Sequence, residues 1–203
     1  MYTPQFNQVA DRAILIEAMQ AYSFAILTGP ASDSAPAATH LPLVIKDEGP
    51  HGLIQGHFAH ANPHWRSLAG RETLIIFPGP HSYVSPALYT EELSVPTWNY
   101  IAVHAYGTLQ LVEDDPGKES ILAALMAIHE PAFAEKWQAM PAGFRRSMLA
   151  GIVGFQVVVS RIEGKFKLSQ NRNETERRTI HSAHQNGTPD QQALAAWMAR
   201  LIP

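Results

Sequence analysis

Ile152 to Val159 is a near-continuous apolar run rich in β-branched residues, and a run of that length and composition favours a buried strand over a helix. It is expected to be covered on both faces. Directly beyond it, Lys165, Lys167, Ser169, Gln170, Asn171 and Arg172 supply amine, hydroxyl, amide and guanidinium donors suited to a phosphate or a polar heterocycle. Glu163, Glu174 and Glu176 offer the plainer reading of a charged surface turn, in which ion pairs contribute little. A second half-site is therefore sought elsewhere in the chain.

With 203 residues, 46% of them hydrophobic, the chain can bury a sizeable core, and its length favours one domain spanning 1–203. The formal charge of −3 gives no global basic field, so nucleic acid would have to be held by a local patch. There is no cysteine, which removes disulfides, zinc-thiolate sites and cysteine nucleophiles and fits the cytoplasm. No apolar run approaches the roughly 20 residues that span a bilayer. Met1 to Pro4 opens without a charged leader or an apolar signal core, so a soluble, unprocessed protein is expected.

Along the chain, Asp11 caps a helix to about Ala21, since Ile14, Leu15, Ala18 and Met19 recur at helical spacing. Phe24 to Thr28 reads as a strand, Gly29 to Pro36 as a loop, Ala38 to Ile45 as a strand and Asp47 to Pro50 as a hairpin turn leading to Gly52–Phe58. Asn62-Pro63 opens a short helix to about Ala69. Thr73 to Phe77 is the next strand, broken by Pro78-Gly79-Pro80. Ser82 to Ser85 is a short extended piece, and Trp98 to Leu111 a long strand. Asp115-Pro116 caps a helix carrying Ile121, Leu122, Leu125, Met126 and His129. A further helix or two, interrupted at Pro141, complete a helical insert at about 116–150. Thr188-Pro189 caps a last helix at about 188–202. Six or seven strands with helices grouped between and after them predict an antiparallel barrel with appended helices, mainly β and α+β overall. No glycine-rich phosphate loop is present, which disfavours Rossmann and P-loop enzymes.

The second half-site is Gly56 to Trp65, GHFAHANPHW. A strand ends at His57 and a helix starts at Asn62-Pro63, so the first backbone N–H groups of that helix are expected free beside His60, where an anion would bind. A metal reading of His57, His60 and His64 lacks a carboxylate to complete or orient the ligands, and no metal is expected. Tyr83, Tyr89, Trp98, Tyr100 and Tyr106 place amphipathic rings in one region, mostly for packing. Trp98-Asn99 suits a ligand edge or a subunit contact equally. No residue stands out as a catalytic acid, base or nucleophile.

Taken together, MYTPQF (Met1 to Phe6), THLPL (Thr39 to Leu43), GHFAHANPHW, FPGPHSYVSP (Phe77 to Pro86), VPTWNY (Val95 to Tyr100) and GKFKLSQNR (Gly164 to Arg172) resemble the PaiB family. These are FMN-binding negative transcriptional regulators with the split barrel shared by pyridoxamine phosphate oxidases and flavin reductases. The resemblance covers nearly the whole chain. It implies a homodimer with FMN in the clefts between two barrels. Thr39, His40 and Leu41 would line the ring, His57, His60 and Asn62 the phosphate, and Lys165, Lys167, Gln170 and Arg172 would close the cleft, with Trp98 and Asn99 as further members. Any redox chemistry would belong to the flavin, and enzyme status stays open.

Two other readings remain beside this one: a flavin-dependent oxidoreductase of the pyridoxamine phosphate oxidase type, and a haem-binding split barrel, given ten histidines. A regulator would use Arg161 to Arg178, with six Lys or Arg against three Glu, on DNA or on a protein partner. DNA has little support, because no helix-turn-helix pattern is present and the chain is acidic overall. The family pattern places an arginine where this chain has His60. Histidine is mostly neutral near neutral pH and cannot grip phosphate in bidentate fashion, so FMN binding would be weak or absent. Losing a charge-assisted hydrogen bond costs about 1.5–3 kcal/mol, roughly one to two decades in affinity. His60→Arg is expected to lower the FMN dissociation constant by that factor in flavin fluorescence quenching, and an unchanged constant removes His60 from the phosphate site.

Overall fold

The computed structural model describes residues 1–30 and 35–202. In chain order these form strand β1 (Gln8–Val9), helix α1 (Arg12–Ala21), strands β2 (Phe24–Pro30), β3 (Pro36–Pro42), β4 (Val44–Lys46) and β5 (Leu53–Ala59), and helix α2 (His64–Leu68). Strands β6 (Glu72–Val84) and β7 (Thr97–Val112) follow, then helices α3 (Asp115–His129), α4 (Phe133–Ala139) and α5 (Ala142–Ala150). Strand β8 (Ile152–Lys167) and helices α6 (Glu174–Gln185) and α7 (Pro189–Leu201) complete the chain. The sheet is eight-stranded and its path, β3-β2-β6-β7-β8-β5-β4 with β1 on β8, runs open from β3 to β4. Among the described residues no helix is long and apolar enough to cross a membrane.

Contacts divide the chain into two compact units, and β6, β7 and β8 contribute residues to both. The barrel unit comprises Arg12–Phe77 and His104–Ile162. In it β2 pairs antiparallel with β3 and β6, and β5 pairs antiparallel with β4 and β8. The β5–β8 register sets His57 opposite Gly154 and Phe58 opposite Val153. Phe58, Phe155, Leu27, Ile54, Ile75 and Val157 are fully buried, and the Phe58 and Phe155 rings pack at 4.9 Å between centroids. On the insert, α3 lays Ile121 and Leu125 against Val44. The buried Lys118 of α3 reaches the Leu149 carbonyl at 3.0 Å and Asp115 at 3.1 Å, which ties the first helix of the insert to the last.

The terminal unit comprises Met1–Asp11, Pro78–Val103 and the chain from Glu163 on. Its β1–β8 ladder sets Gln8 opposite Lys165. Phe166 meets Trp197 edge-on at 5.2 Å, and Leu168, Ile180, Leu194 and Met198 of the same unit are also buried. The expected last helix therefore packs onto the fold. Thr188 and Gln191 cap it reciprocally, the arrangement that satisfies two otherwise orphaned backbone donors.

Several expectations are corrected. The β8 run is not covered on both faces: Val153, Phe155, Val157 and Val159 are buried while Val158 is half-exposed, because an antiparallel strand turns alternate side chains to opposite faces. The strand also continues through the donor cluster to Lys167. The expected strand Ala38 to Ile45 is two strands parted at Leu43, and Gly29 and Pro30 end β2 rather than starting a loop; residues 31–34 of that loop lie outside the described residues. Pro78-Gly79-Pro80 does not break β6. The β2–β6 register spans Leu74–Ile76, so the proline nitrogens fall beyond it and remove no bond from it. Gly79 is needed there, since a Cβ would lie 2.9 Å from that of Ile101. The cap of α3 is Asp114, which accepts from the Gly117 amide at 2.8 Å, not Asp115. Helix α6 is an element beyond those the sequence predicts, and Asn173 caps it by accepting from the Glu176 amide at 2.9 Å.

Phe155→Ala is expected to cost about 3–5 kcal/mol, the range for emptying a fully buried aromatic site. The measurement is the urea unfolding midpoint at constant slope.

Candidate functional site

Within the barrel unit, β3 and α2 bring one polar network together. The β2–β3 register sets Thr39 opposite Leu27, His40 opposite Ile26 and Leu41 opposite Ala25. Thr39 and Leu41 thus share one face of β3, and His40 points to the other, where it is exposed near Phe24. Thr39, His40 and Leu41 do not line one surface together. The side-chain amide of Asn62 donates to Thr39 Oγ1 at 3.3 Å, and Asn62 Oδ1 accepts from the His64 amide at 3.0 Å. Thr39 Oγ1 lies 2.9 Å from His64 Nδ1. A hydroxyl has one proton and two lone pairs, so Thr39 accepts from Asn62 and can still either donate to Nδ1 or accept from it, and both neutral tautomers of His64 satisfy the contact. A pocket of about 250 Å³ opens here, lined by Thr39, Asn62, His64 and Ser67 with Ala37 and Ala38.

Asn62 takes the His64 amide, but α2 starts one residue later than expected, with Pro63 at its N-cap position and no side-chain cap, and the expected anion cradle of free helix amides is corrected as well. The His64 amide is taken by Asn62, and α2 has only five residues, too few to build up a macrodipole. His57 alternates with Phe58 along β5 and so faces away from it, whereas Phe58 packs edge-on against His64 at 6.4 Å. His60 is exposed, with its ring against Trp65 at 6.0 Å and its carbonyl accepting from the Trp65 indole. The three imidazoles diverge, and among the described residues no group of three or more ligating side chains could hold a metal. His64 and Ser67 escaped the sequence reading as site residues because their partner Thr39 is distant in sequence and no local pattern links them.

Burial holds the His57 imidazole below its ordinary pKa. His64 is lowered by burial too; the Gly29 carbonyl partly opposes this, although Nε2 falls outside hydrogen-bond geometry. Both rings are therefore neutral donors or acceptors, not cations, near neutral pH.

Within the terminal unit, the end of β8 and the turn after it form a second polar cluster. Lys165 is buried, donates to the Tyr2 carbonyl at 3.0 Å, and has the Tyr2 and Tyr100 rings at 5.4 and 5.3 Å from its ammonium. Lys167 donates to the Thr97 hydroxyl. Its pKa is lowered by burial, then by the charges of Lys165 and Arg172. Ser169 stands in the left-handed region at φ 66° and donates to Asn99 Oδ1 at 3.0 Å. Asn99 is fully buried and its amide nitrogen has no hydrogen-bond partner. An unmet buried donor costs about 1–3 kcal/mol, and strained or unmet groups of this kind collect at functional sites.

Other expected members of this cluster are engaged locally. Gln170 accepts from the Leu168 amide at 2.7 Å and donates to the Phe166 carbonyl, so its amide braces the turn. Arg172 stacks 3.7 Å over Tyr89 and pairs with Glu176 at 3.8 Å. Glu176 in turn is held below the usual carboxylate range, first by the Thr90 amide, which donates to it at 2.9 Å. Trp98 alternates with Asn99 and is half-exposed, edge-on to Tyr83 at 6.2 Å.

Comparison with known proteins adds the following. Residues 1–161 match the family described as "Putative FMN-binding domain". The chain is 36% identical, over all of its length and 96% of the relative's, to the protease synthase and sporulation protein PAI 2 of Bacillus subtilis. It is 28% identical to an uncharacterized protein of Emericella nidulans over 73% of this chain and 75% of that one. Among solved structures, the flavocytochrome Anf3 of Azotobacter vinelandii superposes with a TM-score of 0.65 at 14% identity, over 81% of this chain and 72% of that one. The FAD and heme binding protein of Mycobacterium smegmatis does so with a TM-score of 0.62 at 17% identity, over 79% and 73%. These likenesses show the split-barrel fold.

His57, His64, His104 and His184 all have folded pKa values pushed below the ordinary 6.5 by burial. The unfolded chain binds more protons below 6.5, so the stability these rings contribute is complete above that pH and declines as pH falls from it toward the folded values. Glu176 acts only below its ordinary 4.5. Urea midpoints measured between pH 7.5 and 5 should therefore fall with acid, and the fall should be shallower in a His57→Gln, His64→Gln variant.

Proposed function

The chain belongs to this FMN-binding domain family, and on that premise we propose that it binds FMN as a cytoplasmic homodimer. The observation that carries the proposal is the Asn62–Thr39–His64 network on the wall of the barrel-unit pocket. Hydroxyl and amide donors there suit the phosphate or the ribityl hydroxyls. The pocket's 250 Å³ lies below the roughly 300–1,000 Å³ typical of sites that enclose a whole drug-sized ligand, so it takes part of the flavin and not all of it. No Lys or Arg lines it, which fits weak binding.

The Asn99–Ser169 pair with Lys165 and Lys167 is proposed as a flavin contact in its own right. Among the described residues neither lysine is paired with a carboxylate, Lys165 meeting the Tyr2 carbonyl and Lys167 the Thr97 hydroxyl, as a site awaiting an anion requires. Thr39, Asn62 and Ser67 would position the cofactor, and the bound flavin would supply any electron transfer. A link to negative transcriptional regulation, implied by the family resemblance, would run through a protein partner more readily than through DNA. Lys165 is buried, Arg172 is paired and the net charge is −3, so few phosphate contacts are on offer.

The test is an FMN titration read by flavin fluorescence quenching, with thermal melting as the folding control. Asn62→Ala and Lys167→Met should each weaken binding by about tenfold, the effect of one lost hydrogen bond to a charged group. Wild-type affinity in both variants, or no binding by the wild type, would overturn the assignment. A haem titration followed in the visible spectrum separates the haem-binding reading, and flavin reduction by a nicotinamide donor separates the oxidoreductase.

A further inference from the structure

Helices α6 and α7 pack against each other in the terminal unit, yet they leave a cavity of about 290 Å³ whose two walls differ in chemistry. The α6 wall presents Arg177, Arg178 and His181, with Glu174 one turn earlier; Met198 and Ala199 of α7, followed by Ile202, form the other. The spacing of residues 174, 177, 178 and 181 puts them on one stripe of α6. That stripe lies beside the buried one made by Glu176, Ile180 and His184.

The charges on this stripe do not cancel. Glu174 and Arg178 pair as i, i+4 neighbours, both well exposed. Arg177 uses one N–H on the Arg172 carbonyl at 2.8 Å and makes no ion pair among the described residues. A guanidinium carries five N–H donors, so most of its capacity remains. One uncompensated positive charge thus faces an apolar wall across a cavity. At about 30 Å³ for each water-sized group, the volume holds roughly ten non-hydrogen atoms.

We propose that this cavity binds a monoanionic amphiphile, a medium-chain carboxylate whose head group meets Arg177 and whose alkyl chain lies on Met198, Ala199 and Ile202. The charge selects an anion, and a single net charge matches a carboxylate. The apolar wall requires a chain, and the volume limits its length. None of these residues belongs to the proposed flavin contacts, so the two sites are independent.

The experiment is isothermal titration calorimetry of the full chain with octanoate, and with 1-octanol and octylammonium as matched uncharged and cationic probes. Octanoate should bind saturably, octanol at least tenfold more weakly and octylammonium not at all. Ala199→Trp, at an exposed position, fills the cavity and should abolish octanoate binding. Arg177→Gln should weaken it at least tenfold. The Ala199→Trp variant should keep wild-type FMN affinity. No saturable heat with octanoate at millimolar concentration, equal binding of octanoate and octanol, or wild-type octanoate affinity in both variants would each overturn the proposal. Failure of FMN to bind would leave it standing.

Discussion

The antiparallel ladder between β5 and β8 is the constraint from which the rest follows. It holds residues 53–59 against 152–158, and strand alternation then dictates that Phe58 and Phe155 enter the core while His57 turns away. Phe58 supports His64, and His64 Nδ1 is hydrogen-bonded to Thr39, so the polar network on β3 is positioned by an apolar contact beneath it. The same ladder receives the chain as it returns from the helical insert: the His60 amide donates to the Gly151 carbonyl at 2.8 Å, one residue before β8 begins.

Two kinds of polar group lie within the candidate clusters, and energetics separates them. Arg172, Glu176 and Gln170 satisfy one another or the backbone, and removing one partner of such a buried set leaves the other uncompensated. They hold the turn after β8 in place. Lys165, Lys167 and Asn99 differ: the lysines lean on a carbonyl and a hydroxyl, and the Asn99 amide nitrogen has no partner. Positive charge without a matching carboxylate raises the local potential, and it adds to burial, the larger cause, in lowering the Lys167 pKa.

What could be read from the sequence was mostly local. The cap at Thr188, the hairpin turn at Asp47 to Pro50 and the apolar spacing in α1, α3 and α7 each act over a few residues, and each produced the expected element; Asn62-Pro63 marked the place of α2 but not its cap. The Pro78-Gly79-Pro80 signal failed because a break depends on which neighbouring strand needs the missing N–H, and that is a tertiary fact. Asn173 has the residue type of a helix cap, but it sits among cations whose chemistry suits a ligand-binding turn equally well. The site was legible as a set of motifs and not as a geometry. Thr39 and Asn62 belong to separate motifs that meet, while His40 is turned outward by alternation. Gln170 and Arg172 have the right chemistry for a ligand, and only their contacts show that the fold already uses it.

The open path of the sheet leaves β3 as a terminal strand, and an unpaired strand invites a stray one to dock alongside. Here Pro36 and Pro42 stand at its two ends, in register with Pro30 and Phe24. Neither proline has an N–H to offer, so a foreign peptide finds a backbone template shortened at both margins. The fold carries its own guard against edge-to-edge aggregation at the margin where its ladder stops.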